Sequence, residues 1–257
     1  MKENKNKGWA IVTGASSGIG LATAESLVEA GYSVYLVARR EERLKNLATQ
    51  LKKLNSKIDV KTAVVDVTKS SAVDKFFKAE AKNLKNVEVL VNNAGLAKGT
   101  EKVFAARTED WDTMIDTNVK GLLYFTRGVL PHMIERKSGH IVNLGSVAGR
   151  WVYPGGAVYC ASKFAVTAIS EGLRMDLLGQ PIRVTNIEPG MVNTEFSLVR
   201  FEDKKKAEQV YQNMTPLSAK DIADCILWCL QRPAHVNIQE LVVFPTDQAA
   251  VGQVHRR

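Results

Sequence analysis

Seven short runs rich in β-branched residues alternate with helix-length amphipathic segments along the whole chain, and this alternation constrains the fold more than any other feature. The runs are WAIVT (9–13), SVYLVA (33–38), VKTAVVD (60–66), VEVLVN (87–92), HIVNLGS (140–146), IRVTNIE (182–188) and LVVF (241–244). Between them apolar residues recur with helical period near 19–30, 41–54, 70–82, 108–136, 156–178 and 219–231. Alternation of this kind predicts a parallel sheet with right-handed crossovers. The runs are continuously apolar, as strands covered on both faces must be. The expected architecture is therefore α/β: one Rossmann-like, doubly wound parallel sheet of about seven strands, with helices on both faces. No repeat, low-complexity tract or linker breaks it, so residues 1–257 are read as a single domain.

The least regular stretch, 189–216, follows the sixth run and holds a Pro-Gly turn and a short polar helix. Ligands of open α/β sheets sit at the carboxyl ends of the strands, so this stretch is expected to be a substrate-binding flap.

Composition narrows the class. No run of eighteen apolar residues exists, so no membrane-spanning helix is expected. The opening MKENKNKGWAIVTG enters a strand without a cleavable apolar region, and the three cysteines (160, 225 and 229) form no disulfide framework. Both features predict a cytoplasmic protein. Cys225 and Cys229 share a helix face without ligand-spaced histidines or acids, so they are read as small hydrophobes and no metal site is expected. The net charge of +8 comes from lysines interleaved with acids on helices, a solvated pattern that does not call for nucleic acid.

After the first run comes TGASSGIG, residues 13–20. Glycines at 14, 18 and 20 allow a tight turn and close approach to a pyrophosphate, which then meets the N-terminus of a helix. Gly14, Ala15, Ser16, Ser17, Gly18, Ile19 and Gly20 are thus candidate cofactor contacts. At the end of the second run, where NAD sites usually carry an acid, stand Arg39 and Arg40. A guanidinium fork suits a 2′-phosphate, so the expected cofactor is NADP rather than NAD. Asp66, with Val67 beside it, ends the third run and is placed to bond the adenine amino group. Asn93, Ala94 and Gly95, in NNAG after the fourth run, are small enough for the adenosine half to pass close by.

Ser146 ends the fifth run, and Tyr159 and Lys163 follow one helical turn apart in AVYCASKF. Asn118 lies inside the long helical stretch before that run. With TGASSGIG and NNAG, this Asn–Ser–Tyr–Lys order resembles the classical short-chain dehydrogenase/reductase family over nearly the whole chain. Hydride transfer to a carbonyl leaves an alkoxide that needs a proton, and the reverse reaction needs a base. A free tyrosine titrates near 10, too high for a good base at neutral pH, so a nearby cation must favour its phenolate. Tyr159 is the expected acid/base, Lys163 that cation, and Ser146 the donor that orients the substrate oxygen. The resemblance further implies that Lys163 bonds the nicotinamide ribose and that the backbone at Asn118 holds a relay water. It also implies that Pro189, Gly190, Val192 and Thr194, in PGMVNT, meet the nicotinamide carboxamide.

Longer stretches, among them LVNNAGLAKGTEK, RVTNIEPGMVNTEFSLVRF and RPAHVNIQEL, are similar to the NADP-dependent 3-hydroxy acid dehydrogenases within that family. That subgroup includes L-allo-threonine and serine dehydrogenases and malonic semialdehyde reductase. The resemblance implies a short 3-hydroxy acid substrate, among them 3-hydroxypropionate, and a homotetramer. A small acid needs a cation for its carboxylate: Arg200, in SLVRF, is the first candidate and Arg150 the second. Three other readings stay open at this point: a 3-ketoacyl-carrier reductase, a broad carbonyl reductase, and a non-enzymatic NADP sensor.

Overall fold

The computed structural model describes residues 7–257. The opening residues 1–6, on which the reading against a secretion signal partly rests, lie outside the described residues.

Seven parallel strands form one sheet: β1 (Trp9–Thr13), β2 (Ser33–Ala38), β3 (Val60–Val64), β4 (Val87–Asn92), β5 (Gly139–Leu144), β6 (Ile182–Pro189) and β7 (Glu240–Val243). Their spatial order is β3-β2-β1-β4-β5-β6-β7, so the chain reverses direction across the sheet between β1 and β4. That reversal opens a crevice at the carboxyl ends of these two strands.

The helices are α1 (Gly18–Glu29), α2 (Glu41–Leu54), α3 (Ser70–Leu84), α4 (Thr108–Ile115), α5 (Leu122–Arg136), α6 (Ala157–Asp176), α7 (Phe196–Phe201), α8 (Lys204–Gln209) and α9 (Ala219–Leu230). The pleat of β1 sorts them into two layers. Ala10 and Val12 pack with Leu27 of α1, Leu44 and Leu51 of α2 and Ile226 of α9. Trp9 and Ile11 face the opposite core, built from Phe76 and Phe77 of α3 and Phe125, Val129 and Met133 of α5. The continuous apolar runs reflect this double burial: every residue of β1 and β2 is buried, whereas β3, at the sheet edge, alternates.

Four boundaries differ from the periodicity, each for a physical reason. The stretch 108–136 is not one uniform helix, because a π-helical segment, Asp116–Gly121, joins α4 to α5. Such wider turns re-aim side chains and collect at functional sites. β3 and β5 stop at Val64 and Leu144, since Asp66 and Ser146 turn into the crevice and use their side chains on nearby backbone. Residues 189–216 hold two short helices, α7 and α8, the second capped by the Asp203 carboxylate accepting from the Lys205 and Lys206 backbone. Last, a small hairpin, β8 (Gln248–Ala250) and β9 (Gln253–Val254), closes the chain where no strand was expected.

No helix among the described residues is long and apolar enough to cross a membrane, and no cluster of three or more metal-ligating side chains occurs among them.

Candidate active site

A cavity of about 740 Å³ occupies the crevice. One end lies under the turn between β1 and α1, where Gly14 and Gly18 have φ of +66° and +54°. A Cβ on Gly14 would stand 2.8 Å from Asn93 Nδ2, and one on Gly20 would stand 2.5 Å from the Gly14 carbonyl oxygen. Only glycine permits both the backbone angle and that packing. The turn is braced from β4: Asn93 Nδ2 donates to the Thr13 carbonyl at 2.9 Å, and the Asn93 and Ala94 amides donate to Thr13 Oγ1 at 3.0 Å. Gly14, Ser16, Ser17, Gly18 and Ile19 line the cavity. Ala15 and Gly20, read as cofactor contacts, do not line it; Ala15 is packed into the core, and Gly20 lets α1 seat against β4.

Arg39 and Arg40 also line this end. Arg40 donates from Nε to Ser16 Oγ at 3.0 Å and from Nη2 to Ser17 Oγ at 2.6 Å. Asp66 Oδ1 accepts from the amide and hydroxyl of Thr68 at 3.0 and 2.9 Å, and Asp66 and Val67 face the cavity wall between them. Asn93, Ala94 and Gly95 continue that wall.

The other end gathers the tetrad. Ser146 caps the short turn Val147–Gly149, its Oγ accepting from the Ala148 amide at 3.1 Å and donating to the Pro189 carbonyl at 3.5 Å, and its hydroxyl helps favour the Tyr159 phenolate. Tyr159 is buried, with Phe196 5.6 Å from its ring. Lys163 Nζ donates to the Leu144 carbonyl at 2.7 Å and lies 5.9 Å from the Tyr159 ring centre. Asn118 stands behind this wall rather than in it. From the π-helical segment its amide nitrogen donates to the Leu96 carbonyl at 2.8 Å and to Ser162 Oγ at 3.0 Å, and its oxygen accepts from the Leu96 amide at 2.9 Å. Its side chain thus ties the loop after β4 to α6. A Cβ on Gly95 would lie 3.2 Å from Asn118 Oδ1 and 3.7 Å from Lys163 Nζ, so that glycine lets the two halves meet.

Burial governs the titration of the pair. It pushes the Tyr159 hydroxyl above the usual tyrosine range, with Tyr153 adding to the rise and Ser146 and Arg200 opposing it. It lowers Lys163 to about 8.

The two arginine candidates separate cleanly. Arg150 does not reach the cavity: its guanidinium is paired with the buried Glu188 and with Glu240. Those two carboxylates neutralise it, so the expectation of a substrate contact there is corrected. Arg200 does line the cavity, 5.9 Å from the Tyr159 ring. It donates to the Gly99 carbonyl at 3.1 Å, the Tyr153 hydroxyl at 2.9 Å and the Gly155 carbonyl at 3.5 Å, and makes no ion pair among the described residues. Pro189, Gly190, Val192 and Thr194 line the cavity as well, with Thr194 against Gly18 of the glycine turn. Gln248 Oε1 steadies them by accepting from the Met191 amide at 2.8 Å.

Several lining residues escaped the sequence. Tyr153, Phe196 and Tyr211 have no local signature beyond their aromatic character, while Gln248 and Arg256 belong to the unpredicted hairpin and tail. The turn signal there was Gly252, at φ +85°. Cys160 does not form the wall; it packs behind Tyr159 with Leu96, Ala97 and Met114, and burial raises its thiol pKa.

A glycine turn on a parallel sheet, joined to a Ser–Tyr–Lys centre, defines a dehydrogenase acting on CH–OH groups. The chain belongs to the short-chain dehydrogenase family, whose model matches residues 8–205. It is 47% identical over 249 residues to the NADP-dependent 3-hydroxy acid dehydrogenase YdfG of Salmonella typhi, spanning 96% of this chain and 98% of that one. It is 46% identical over 241 residues to sulfoacetaldehyde reductase 2 of Chromohalobacter salexigens, at 93% and 94% coverage. Among solved structures, the closed form of a serine dehydrogenase complexed with NADP+ superposes with a TM-score of 0.90, 45% identity and coverage of 97% and 100%.

Proposed function

We propose that the protein transfers a hydride between NADP(H) and the carbinol carbon of a short 3-hydroxy acid such as serine, allo-threonine or 3-hydroxypropionate. The observation that carries the substrate class is Arg200, a guanidinium free of carboxylate partners among the described residues, set beside the acid/base tyrosine. It is a ready receptor for a carboxylate one carbon away from the reacting centre.

The cofactor is NADP. The tight turn at Gly14 and Gly18, which a Cβ at Gly14 or Gly20 would disrupt, sits at the start of α1 where a pyrophosphate is favoured, and Ser16, Ser17, Arg39 and Arg40 suit the 2′-phosphate. Five cationic side chains line the cavity (Arg39, Arg40, Lys163, Arg200 and Arg256) against two carboxylates, Asp66 and Glu195, which favours an anionic cofactor and an anionic substrate together. When bound, the nicotinamide accepts or returns the hydride.

The chain's own residues do the rest. Ser146 Oγ and the Tyr159 hydroxyl hold the substrate oxygen; Tyr159 takes its proton during oxidation and returns one during reduction. The Lys163 ammonium, fixed by the Leu144 carbonyl, stabilises the phenolate and grips the cofactor ribose. The side-chain hydrogen bonds of Asn118 are committed to Leu96 and Ser162, leaving its backbone carbonyl to hold the relay water. Tyr153 orients Arg200 by accepting its hydrogen bond.

A second substrate reading rests on the sulfoacetaldehyde reductase relative. A sulfonate also places an anion one methylene from the reacting carbon, so Arg200 would serve both substrates by the same contact. Apolar side chains exposed on α5 and α6 (Leu123, Ile134 and Phe164) support assembly into a homotetramer, and three free cysteines fit a reducing cytoplasm. A spectrophotometric screen tests the proposal: NADP reduction over serine, the threonine isomers, 3-hydroxypropionate and 3-hydroxyisobutyrate, with isethionate alongside. Turnover is expected on at least one of the 3-hydroxy acids. Turnover on isethionate alone would select the second reading, and silence on all would remove both.

A further inference from the structure

Glu195 immediately precedes α7, the helix that carries Arg200, yet its carboxylate reaches back over the opposite end of the cavity. Oε2 accepts from Arg40 Nη1 at 2.8 Å and Oε1 accepts from Arg43 Nη1 at 2.6 Å. Arg40 holds the glycine-turn serines at the same time, so one guanidinium joins that turn to a residue 155 positions away. Immediately beside this bridge, a Cβ on Gly18 would lie 3.3 Å from Thr194. Arg40 and Glu195 line the cavity, but Arg43 does not. Arg43 therefore reaches the cavity only through the Glu195 carboxylate.

We propose that Glu195 is a positioning residue that latches the 189–216 segment to the arginine at the 2′-phosphate end of the cofactor, so that filling that end also closes the substrate end. The inference rests on the reading of Arg40 as a 2′-phosphate ligand. Charge supports a latch that persists with cofactor bound. Arg39, Arg40 and Arg43 bring three positive charges against the two carboxylates Glu195 and Asp66, leaving a surplus of one. A phosphate monoester carries roughly −1.5 to −2 at neutral pH, so it takes up that surplus while the three guanidiniums still outnumber the two carboxylates. With NAD the surplus stays unbalanced, and mutual repulsion of the guanidiniums works against the bridge. The side chains are 39–48% exposed, and exposed ion pairs of this kind are individually weak. The effect is accordingly expected in the comparison of cofactors rather than in global stability.

The test uses the full chain in four forms: wild type, Glu195→Gln, Arg43→Ala and the double variant. Fluorescence titration with NADPH and NADH gives affinities, and stopped-flow displacement gives NADPH release. Each single variant is expected to bind NADPH about three- to fivefold more weakly and to release it faster by a similar factor, as suits one modest ionic contact. NADH affinity should stay within about twofold, and the double variant should be no worse than either single one, since both break the same bridge. Trypsin supplies a readout independent of turnover, because Lys204, Lys205 and Lys206 are exposed on α8. NADPH should protect those sites in the wild type more than NADH does, and that difference should vanish in Glu195→Gln. Tighter NADPH binding by Glu195→Gln would make the carboxylate a competitor of the phosphate and overturn the latch. Equal losses for NADPH and NADH, or no change for either, would overturn it too. Arg40→Ala tests the underlying reading separately: if it keeps the wild-type ratio of NADPH to NADH affinity, the 2′-phosphate assignment itself fails.

Discussion

The Lys163 ammonium stands 5.9 Å from the centre of the Tyr159 ring, one helical turn along α6, and is anchored by the Leu144 carbonyl at 2.7 Å. That anchor fixes a positive charge under the tyrosine without an acidic partner, which would cancel it. Burial nevertheless raises the tyrosine and lowers the lysine, so each group alone is driven toward its neutral form. The arrangement becomes a usable acid/base pair when further positive charge joins Lys163 beside the hydroxyl.

Tyr159→Phe removes only the proton-transferring oxygen. Its kcat is expected to fall by about 10²–10⁴-fold, the range for losing a general acid/base, while NADPH affinity stays within about threefold. Steady-state kinetics and a fluorescence titration on the same preparation check both halves.

Lys163 costs stability in exchange for function. Burial lowers it to about 8, below the ordinary lysine value of 10.5, so the folded state sheds the proton first. The destabilisation is complete below pH 8 and is relieved as pH rises from 8 to 10.5, where the unfolded chain binds more protons. Lys163→Met, which keeps the bulk and drops the charge, is expected to be inactive yet about 1–3 kcal/mol more stable at pH 7. Urea denaturation at pH 7 and at pH 10 checks this, with the advantage shrinking at the higher pH.

His140 sets an acid limit at the other end of β5. Burial, with Arg183 adding to it, lowers its pKa to about 3; Nε2 pairs with Thr185 Oγ1 at 2.8 Å, and Nδ1 is buried without a partner. Between pH 6.5 and 3 the unfolded state takes up a proton that the folded state refuses, so stability falls with pH. The slope from this one group reaches about 1.4 kcal/mol per pH unit. His140→Gln should flatten that part of the curve, as thermal melts from pH 7 to pH 4 would reveal.

Gly20→Ala tests the cradle. The new methyl would sit 2.5 Å from the Gly14 carbonyl oxygen and closer still to Asn93 Nδ2, so the turn must shift. We expect a loss of about 1–3 kcal/mol of stability, typical of overpacking, and a NADPH affinity at least about tenfold weaker.

Much of this was legible in the sequence because strand alternation and motif spacing are local signals. The seven strands fell in place because β1 and β2 are buried on both faces and so read as unbroken apolar runs. Tyr159 and Lys163 could be paired because one helical turn fixes their relation, whereas Ser146, across a loop from them, joined them only through the family resemblance. Arg150 and Arg200 were not distinguishable, since only the fold brings Glu188 and Glu240 to the first and Tyr153 to the second. The π-helical segment at Asn118 and the bridge from Glu195 to Arg40 were hidden for the same reason: both depend on partners far away in the chain.

The central claim is that Tyr159 chemistry is aimed at an anionic short alcohol by Arg200. The most direct test compares kcat/KM for NADP reduction with the best acid found in the screen and with a neutral alcohol of equal length, in the wild type and in Arg200→Ala. The account predicts a loss of about 10²-fold or more on the acid, about the worth of one buried charge-assisted pair, and less than about threefold on the neutral alcohol. An unchanged kcat/KM on the acid, or an equal loss on both alcohols, would contradict it.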